Sequence, residues 1–273
     1  MSESNQHPEE TCLPHAHLTP PLKWAGGKRW LIPLLRTLFL KTPRARLVEP
    51  FVGGMAVALG LQPTSALLND VNPHLINFYT QIQKGLSLTE PFENDKDFFY
   101  NARSRFNALV HSGAYATAES ASLFYYMNRT AFNGLCRFNA KGEFNVPFGK
   151  YKRINYQRDF SAYRAAFSPW RFSCGDFEAL KIERSDFLYV DPPYDVPFTQ
   201  YASQDFTWTD QVRLVEWLTS LPCTIVASNQ ATDRIIDLYQ SKGFTIQILD
   251  APRRISCTGD RRPAAEMFAI KQS

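Results

Sequence analysis

The run Phe187-Leu-Tyr-Val-Asp-Pro-Pro-Tyr194 ends a hydrophobic stretch in an acid, two prolines and an aromatic ring. Neither proline has a backbone N–H, and each fixes its own φ. The residue before a proline is pushed toward extended geometry. Asp191 and Pro192 are both held extended, with carbonyls that no neighbouring strand is forced to take up. The corner is stiff and rich in acceptors, and the flat ring of Tyr194 lies beside it. It complements a group with N–H donors and a π face. The plain alternative is a rigid strand-ending turn.

Several elements could position that corner. The runs Leu47-Val-Glu-Pro-Phe51, Ala66-Leu-Leu-Asn-Asp70, Phe187-Leu-Tyr-Val-Asp191 and Thr224-Ile-Val-Ala-Ser-Asn229 have the character of buried strands in an α/β sheet. Most of them end in, or run into, Asp or Asn. Ligands of open α/β sheets bind outside the carboxyl ends of the strands, so polar residues collected there read as a site. At any one strand, a turn or a helix cap explains the same residue. The first two runs lie about 20 residues apart, the spacing of a nucleotide-type βαβ unit. Gly53-Gly54 follows the first and Asp70 ends the second. The full G-x-G-x-x-G is missing, which disfavours a dinucleotide and suits an adenosine-containing ligand without a pyrophosphate.

The bulk numbers narrow the class. The chain has 273 residues, 44% hydrophobic and 21% charged, as expected of a globular protein of one large or two modest domains. No apolar run approaches the roughly 18 to 20 residues that span a bilayer. Residues 1–19 read as a polar, disordered tail with no signal pattern. His7, His15, His17 and Cys12 in it are read as solvated, and no metal is expected. The five cysteines are scattered, with no C-x-x-C pair, which fits free thiols in a reducing cytosol. A formal net charge of +4 permits a nucleic-acid partner without requiring one.

Residues 71–186 are too long for a single crossover. Phe98, Phe99, Ala102, Phe106, Leu109 and Val110 repeat at helical spacing. Residues 128–153 then interleave Arg and Lys with aromatics, Asn and Gly, with Glu143 as the one acid. Arg and Asn read base edges and aromatics stack on bases. A glycine-bearing hairpin with a solvated basic face is the alternative. The excursion reads as an inserted recognition segment.

These pieces together resemble the Dam-type DNA adenine-N6 methyltransferases. The matching motifs are Leu22-Lys-Trp-Ala-Gly-Gly-Lys28, Val48-Glu-Pro-Phe-Val-Gly53, Asn69-Asp-Val-Asn72 and Asn128-Arg129 with Asn133-Gly-Leu-Cys-Arg-Phe-Asn139. Gly142-Glu-Phe-Asn-Val-Pro-Phe-Gly-Lys-Tyr151, Asp191-Pro-Pro-Tyr194 and Arg254-Ile-Ser256 follow in the family order. The resemblance implies an α/β, Rossmann-like methyltransferase core over 20–75 and 156–273. A mostly helical DNA-recognition subdomain is expected as an insertion over 76–155. It implies S-adenosyl-L-methionine as cofactor, held by Trp24, Lys28, Phe51, Gly53, Asp70, Asp176, Phe177 and Asp191. Two departures stand out. Met55 occupies a position where many relatives carry a second glycine, and Thr130-Ala131 replaces a Tyr-Gly pair. The pattern after the tetrad recurs as Phe198-Thr-Gln-Tyr201 with Phe206.

The resemblance also answers what the corner would hold. An adenine amine is a poor nucleophile with two N–H donors and a π face. The Asp191 carboxylate and the Pro192 carbonyl would accept the two N–H bonds, and Tyr194 would stack on the base. These three are the expected catalytic residues. The base would be flipped out of duplex DNA. Relatives with this recognition segment act on GATC. By analogy Lys23 reads the outer guanine, and Leu135 and Arg137 read the distal base pair. Phe132, Asn133, Lys150 and Tyr151 belong to the same DNA-binding set, with Tyr151 at the vacated space. Lys41, Arg44, Arg46, Arg253, Arg254, Arg261 and Arg262 are candidates for phosphate contacts. The expected setting is the cytoplasm or nucleoid of a prokaryote or phage-infected cell. A cognate restriction endonuclease is the one class of protein partner suggested. Rival readings are an RNA or protein amino-methyltransferase, a catalytically silent DNA-binding regulator and a dinucleotide oxidoreductase. The 133–151 segment, the intact Asp191 and Lys28, and the incomplete glycine loop disfavour them in turn.

Overall fold

A computed structural model describes residues 18–42, 44–88, 90–195, 206–251 and 264–272. His7, Cys12, His15, His17, Phe198, Tyr201, Arg253, Arg254, Ser256, Arg261 and Arg262 lie outside the described residues.

The four expected apolar runs are strands. They are β1 (Leu47–Glu49), β2 (Ala66–Asp70), β4 (Phe187–Val190) and β5 (Thr224–Gln230). Three more strands join them, β3 (Trp170–Cys174), β6 (Thr245–Ala251) and β7 (Ala264–Lys271). The sheet order is β3-β2-β1-β4-β5-β7-β6. The first five strands are parallel, and β7 runs antiparallel between β5 and β6. This is a Rossmann-like α/β sheet with an antiparallel pair added at one edge. Strand order reverses between β1 and β4, which opens a crevice at their carboxyl ends. Pro50 ends β1, and Asp191 with its following proline ends β4, because neither proline can donate to the ladder.

Successive residues of a strand face opposite sides of the sheet. Leu47, Phe187 and Tyr189 join one apolar cluster, and Val48, Leu188 and Val190 join the other. β4 is buried along its whole length, as a central parallel strand must be.

On the first face pack α1 (Ile32–Phe39), α2 (Ala56–Leu61), α3 (Pro73–Lys84) and α6 (Ser161–Phe167), and on the second α7 (Trp208–Ser220) and α8 (Asp233–Ser241). Asn72 starts α3 by accepting from the backbone of His74 and Leu75, and Gly85 ends it in the left-handed region. Between β2 and β3 lie α4 (Lys96–His111) and α5 (Ala118–Thr130), the first where the spacing from Phe98 predicts it. After α5 the chain is irregular, pinned by antiparallel bridges between Ala131 and Phe148 and between Phe138 and Phe144. Phe99, Phe106, Phe124 and Val146 from this stretch are buried in the same cluster as Leu47 and Leu68 of the sheet.

Candidate active site

The first wall of the crevice is the turn from β1 into α2. Gly53 sits at φ +45°, and a Cβ there would come within 2.8 Å of the Trp24 indole nitrogen. Gly54 is equally tight against the Trp24 side chain. The glycines therefore make room for Trp24, which lies against the turn. Asp70 holds the turn from the next strand: one oxygen accepts from the Gly53 N–H at 3.1 Å, the other from Asn72 at 3.0 Å. Tyr79 of α3 donates to the Gly53 carbonyl at 2.7 Å. Met55 is buried with φ +63°. That position needs left-handed backbone, so a glycine there relieves strain at the helix start, and Met55 keeps the same path at a cost.

The second wall is the Asp191–Tyr194 corner. The Lys28 ammonium lies 2.8 Å from each Asp191 oxygen, and the Ser228 hydroxyl donates to Oδ1 at 3.1 Å. Tyr189 and Ser228 share a hydrogen bond of 2.8 Å behind them. A carboxylate has about four acceptor sites, so Asp191 keeps capacity for one more donor. Burial raises its pKa, and Lys28 and Ser228 work against the rise. Among the described residues, no donor reaches the Pro192 carbonyl. Lys28 is only 4% exposed, so it is not a solvated surface charge. It also lies 3.4 Å from Glu266 of β7, whose Oε1 accepts from the Tyr194 hydroxyl at 2.6 Å. Lys28 stands over the Tyr194 ring at 4.9 Å. Glu49, at the end of β1, is buried with Oε1 unpartnered among the described residues. Burial first, then the nearby Asp191 charge, push its pKa up to about 8.

The third part is aromatic. Phe51 contacts both Phe177 and Phe206, with ring centres 5.7 and 5.6 Å apart. Asp176 is held by Arg213 of α7 through two hydrogen bonds of 3.0 and 2.9 Å, and the same guanidinium covers Phe177 at 4.4 Å. That pairing lowers the Asp176 pKa. One open cleft of about 1590 Å³ joins all three parts and reaches Lys23.

The DNA-binding candidates gather next to this cleft. Lys23 exchanges backbone hydrogen bonds with the Asn128 amide, at 2.8 and 2.9 Å. Its ammonium donates to the Arg129 carbonyl at 3.0 Å and stands 3.8 Å from the centre of the Tyr151 ring. Burial and Arg129 bring its pKa down to about 8. Phe132, Asn133 and Leu135 are exposed, and Asn133 has φ +53°. Arg137 donates to Asn145 at 2.8 Å, and Lys150 is exposed. Of the cofactor and catalytic candidates, all line the cleft, whereas of the DNA-binding set only Lys23 does. Arg46 is corrected as a phosphate candidate. It precedes β1 at the opposite end of the sheet and is paired with buried Asp186 at 2.7 Å.

Residues 24–255 match the family of D12 class N6 adenine-specific DNA methyltransferases. The chain belongs to this family. It is an adenine-specific DNA methyltransferase. It is 37% identical to the DNA N-6-adenine-methyltransferase of Escherichia phage P1, over 97% of this chain and 37% of that protein. It is 33% identical to the Retron Ec67 DNA adenine methylase of Escherichia coli, over 91% of this chain and 90% of that one. With the DNA adenine methylase of Vibrio cholerae serotype O1 the identity is 35%, over 91% and 94%. The chain thus spans well under half of the phage protein and nearly all of the other two.

Several residues of the methyltransferase cleft carry no local signal in the sequence. Glu266 is one acid in an ordinary strand, and only the placement of β7 beside β5 brings it to Lys28. Glu49 stands inside a quoted motif, yet its burial depends on α2 packing over it. Arg213 lies on the polar side of an amphipathic helix, where a solvated charge is the usual reading. Among the described residues, no helix is long and apolar enough to cross a membrane.

Proposed function

We propose that this methyltransferase moves the methyl group of S-adenosylmethionine to N6 of the adenine in GATC, on a base turned out of duplex DNA. The observation that carries the reading is the pairing of an anchored carboxylate, Asp191, with the Pro192 carbonyl, which no donor among the described residues reaches, at the switch point of the sheet. An adenine amine presents two N–H donors in one plane, and these two acceptors meet them. Fixing both N–H bonds directs the nitrogen lone pair out of that plane. Lys28 and Ser228 keep Asp191 in place, so positioning and electrostatics are supplied before the base arrives. Tyr194, tied by its hydroxyl to Glu266, offers its ring face to the base.

The cleft fits the cofactor on its own chemistry. Asp191 and Glu266 share one ammonium, so the site is short of positive charge. The aromatic rings of Phe51, Phe177 and Phe206 suit an adenine, and Asp70 has acceptor capacity left for ribose hydroxyls. Trp24, Lys28, Phe51, Gly53, Asp70, Asp176, Phe177 and Asp191 would hold the cofactor there. S-adenosylmethionine, when bound, supplies a methyl group activated by its sulfonium charge. The proton lost from the amine goes to Asp191 or to solvent, since a methylated ammonium on an aromatic ring is strongly acidic.

Residues 76–155 carry the proposed target recognition. Lys23, Leu135 and Arg137 match the positions that read GATC in relatives with this segment, and Phe132, Asn133, Lys150 and Tyr151 belong to the same DNA-binding set. Turning the base out costs a few kcal/mol of stacking and pairing. Exposed Phe132 and the Tyr151 ring offer replacement stacking. The test is transfer of labelled methyl from S-adenosylmethionine to a GATC duplex, beside a duplex with the four bases permuted. Label on GATC alone is expected. Equal label on both would overturn the sequence assignment and leave the donor in place. No label on either, from folded protein, would overturn the donor.

A further inference from the structure

We propose that Gln211 and Asn229 form an amide relay that sets the orientation of the Asp191–Tyr194 corner, and so act as positioning residues for methyl transfer. The corner has an unusual mechanical problem. Pro192 and Pro193 have no N–H, so backbone hydrogen bonds can hold the middle of the corner only through their carbonyls. Gln211 takes one of them: its Nε2 donates to the Pro193 carbonyl at 2.8 Å. Gln211 lies in α7, whose first turn is locked by a capping box between Thr207 and Asp210. Its own Oε1 accepts from Asn229 Nδ2 at 3.1 Å, and Asn229 Oδ1 accepts from the Gln230 N–H at 2.8 Å. Every step has one donor and one acceptor, which fixes both amide orientations.

The burial of this pair needs a reason. Gln211 and Asn229 are both fully buried, and Gln211 shares its helix face with Leu214, Val215 and Leu218. A leucine at 211 would suit that face, and a buried amide costs stability unless its bonds are made. What the amide does that leucine cannot is grip the Pro193 carbonyl. Ring closure fixes φ of Pro193, so its ψ is the one soft torsion left between the two carbonyl planes, and holding the Pro193 carbonyl restrains that torsion. One carbonyl is thereby consumed and its neighbour left in a set direction. Asp195, paired with Arg234 of α8, anchors the chain just beyond.

The inference rests on the corner being the site of transfer, and the test separates the two. The variants are Gln211→Leu and Gln211→Glu in the full chain, read beside wild type. Three quantities are followed: single-turnover transfer from labelled S-adenosylmethionine to unmethylated mixed-sequence duplex DNA, binding of cofactor and DNA, and hydrogen exchange at the Gln230 amide. That amide donates to Asn229 Oδ1 at the far end of the relay. For Gln211→Leu, binding should stay within about twofold while the transfer rate falls on the order of a hundredfold, as a misplacement of about 1 Å does. Asn229 then loses its acceptor, and the Gln230 amide should exchange about tenfold faster or more, by local opening. A neutral carboxylic acid at 211 can donate to Pro193 and an ionised one cannot. Relative to wild type at the same pH, Gln211→Glu should therefore keep activity at low pH and lose it as pH rises, which adds a descending limb to the ratio. A merely structural role would not produce that limb at unchanged melting temperature. Gln211→Leu with wild-type transfer and wild-type exchange would overturn the relay. A wild type that transfers no label would overturn the donor reading, and the exchange rates would still decide the relay.

Discussion

Lys28 is one ammonium serving two carboxylates, Asp191 and Glu266, with Glu49 close behind. Replacing it by methionine leaves two buried acids facing each other with no cation. Breaking such a pair typically costs about 3–5 kcal/mol, because the charge left behind is uncompensated. Asp191 already has a raised pKa from burial, and Lys28 is the largest influence lowering it. Lys28→Met should raise it further, so the carboxylate form appears only at higher pH. The acid limb of the pH–rate profile should move upward, and the urea midpoint should fall. An unmoved limb would separate Lys28 from Asp191 function. Glu49 gives the opposite kind of test. Its folded pKa is raised from 4.5 to about 8. Between those values the folded protein holds a proton that the unfolded chain has released, so stability falls as pH rises through that window. Glu49→Gln should flatten the fall between about pH 5 and 8. Denaturation midpoints of the cofactor-free protein that run parallel to wild type across that range would exclude it.

At the scale of elements, the β1–α2 turn concentrates the strain. Gly53→Ala meets two obstacles: left-handed backbone, and a Trp24 indole 2.8 Å from the new Cβ. Backbone strain of this kind costs on the order of 1–3 kcal/mol. The melting temperature should drop and tryptophan fluorescence should shift. Adding Trp24→Ala should relieve the clash component and leave the φ component. A single variant that melts like wild type would mean that the turn relaxes freely. The sequence made the central strands legible because parallel strands buried on both faces read as continuous apolar runs. β3 was not legible, since Arg171 and Ser173 break the run and the strand lies at the sheet edge. β6 and β7 pair with each other across the other edge, and β6 is mostly exposed, so its apolar signal is diluted. The corner residues were legible for a chemical reason: Asp-Pro-Pro-Tyr constrains its own backbone. Glu266, Gln211 and Arg213 were not, because their roles come from pairing elements far apart in sequence.

The molecule as a whole packs α4 and α5 and the sheet around one core. Phe124 of α5 is fully buried and lies against Phe78 of α3, Phe106 of α4 and His74. Tyr125 stacks on Phe78 with ring centres 5.3 Å apart. The next residue of α3, Tyr79, bonds to the Gly53 carbonyl in the β1–α2 turn. α3 is thus shared between the packing of α4 and α5 and the turn that lines the cleft. Segments joined through a common buried cluster unfold together, whereas segments with separate cores melt apart. Phe124→Ala removes a large side chain from the shared cluster, at a cost of about 3–5 kcal/mol. If the cluster is one unit, far-UV circular dichroism and tryptophan fluorescence should still report a single coincident transition, displaced to lower denaturant. Trp24 and Trp170 both lie far from α5 in sequence, yet Trp170 is buried in the same cluster and Trp24 packs against it, so their emission reports the sheet side. A variant in which helix signal is lost before tryptophan signal would show that residues 96–151 fold on their own. It would also mean that the grip of α3 on the Gly53 turn is independent of α4 and α5.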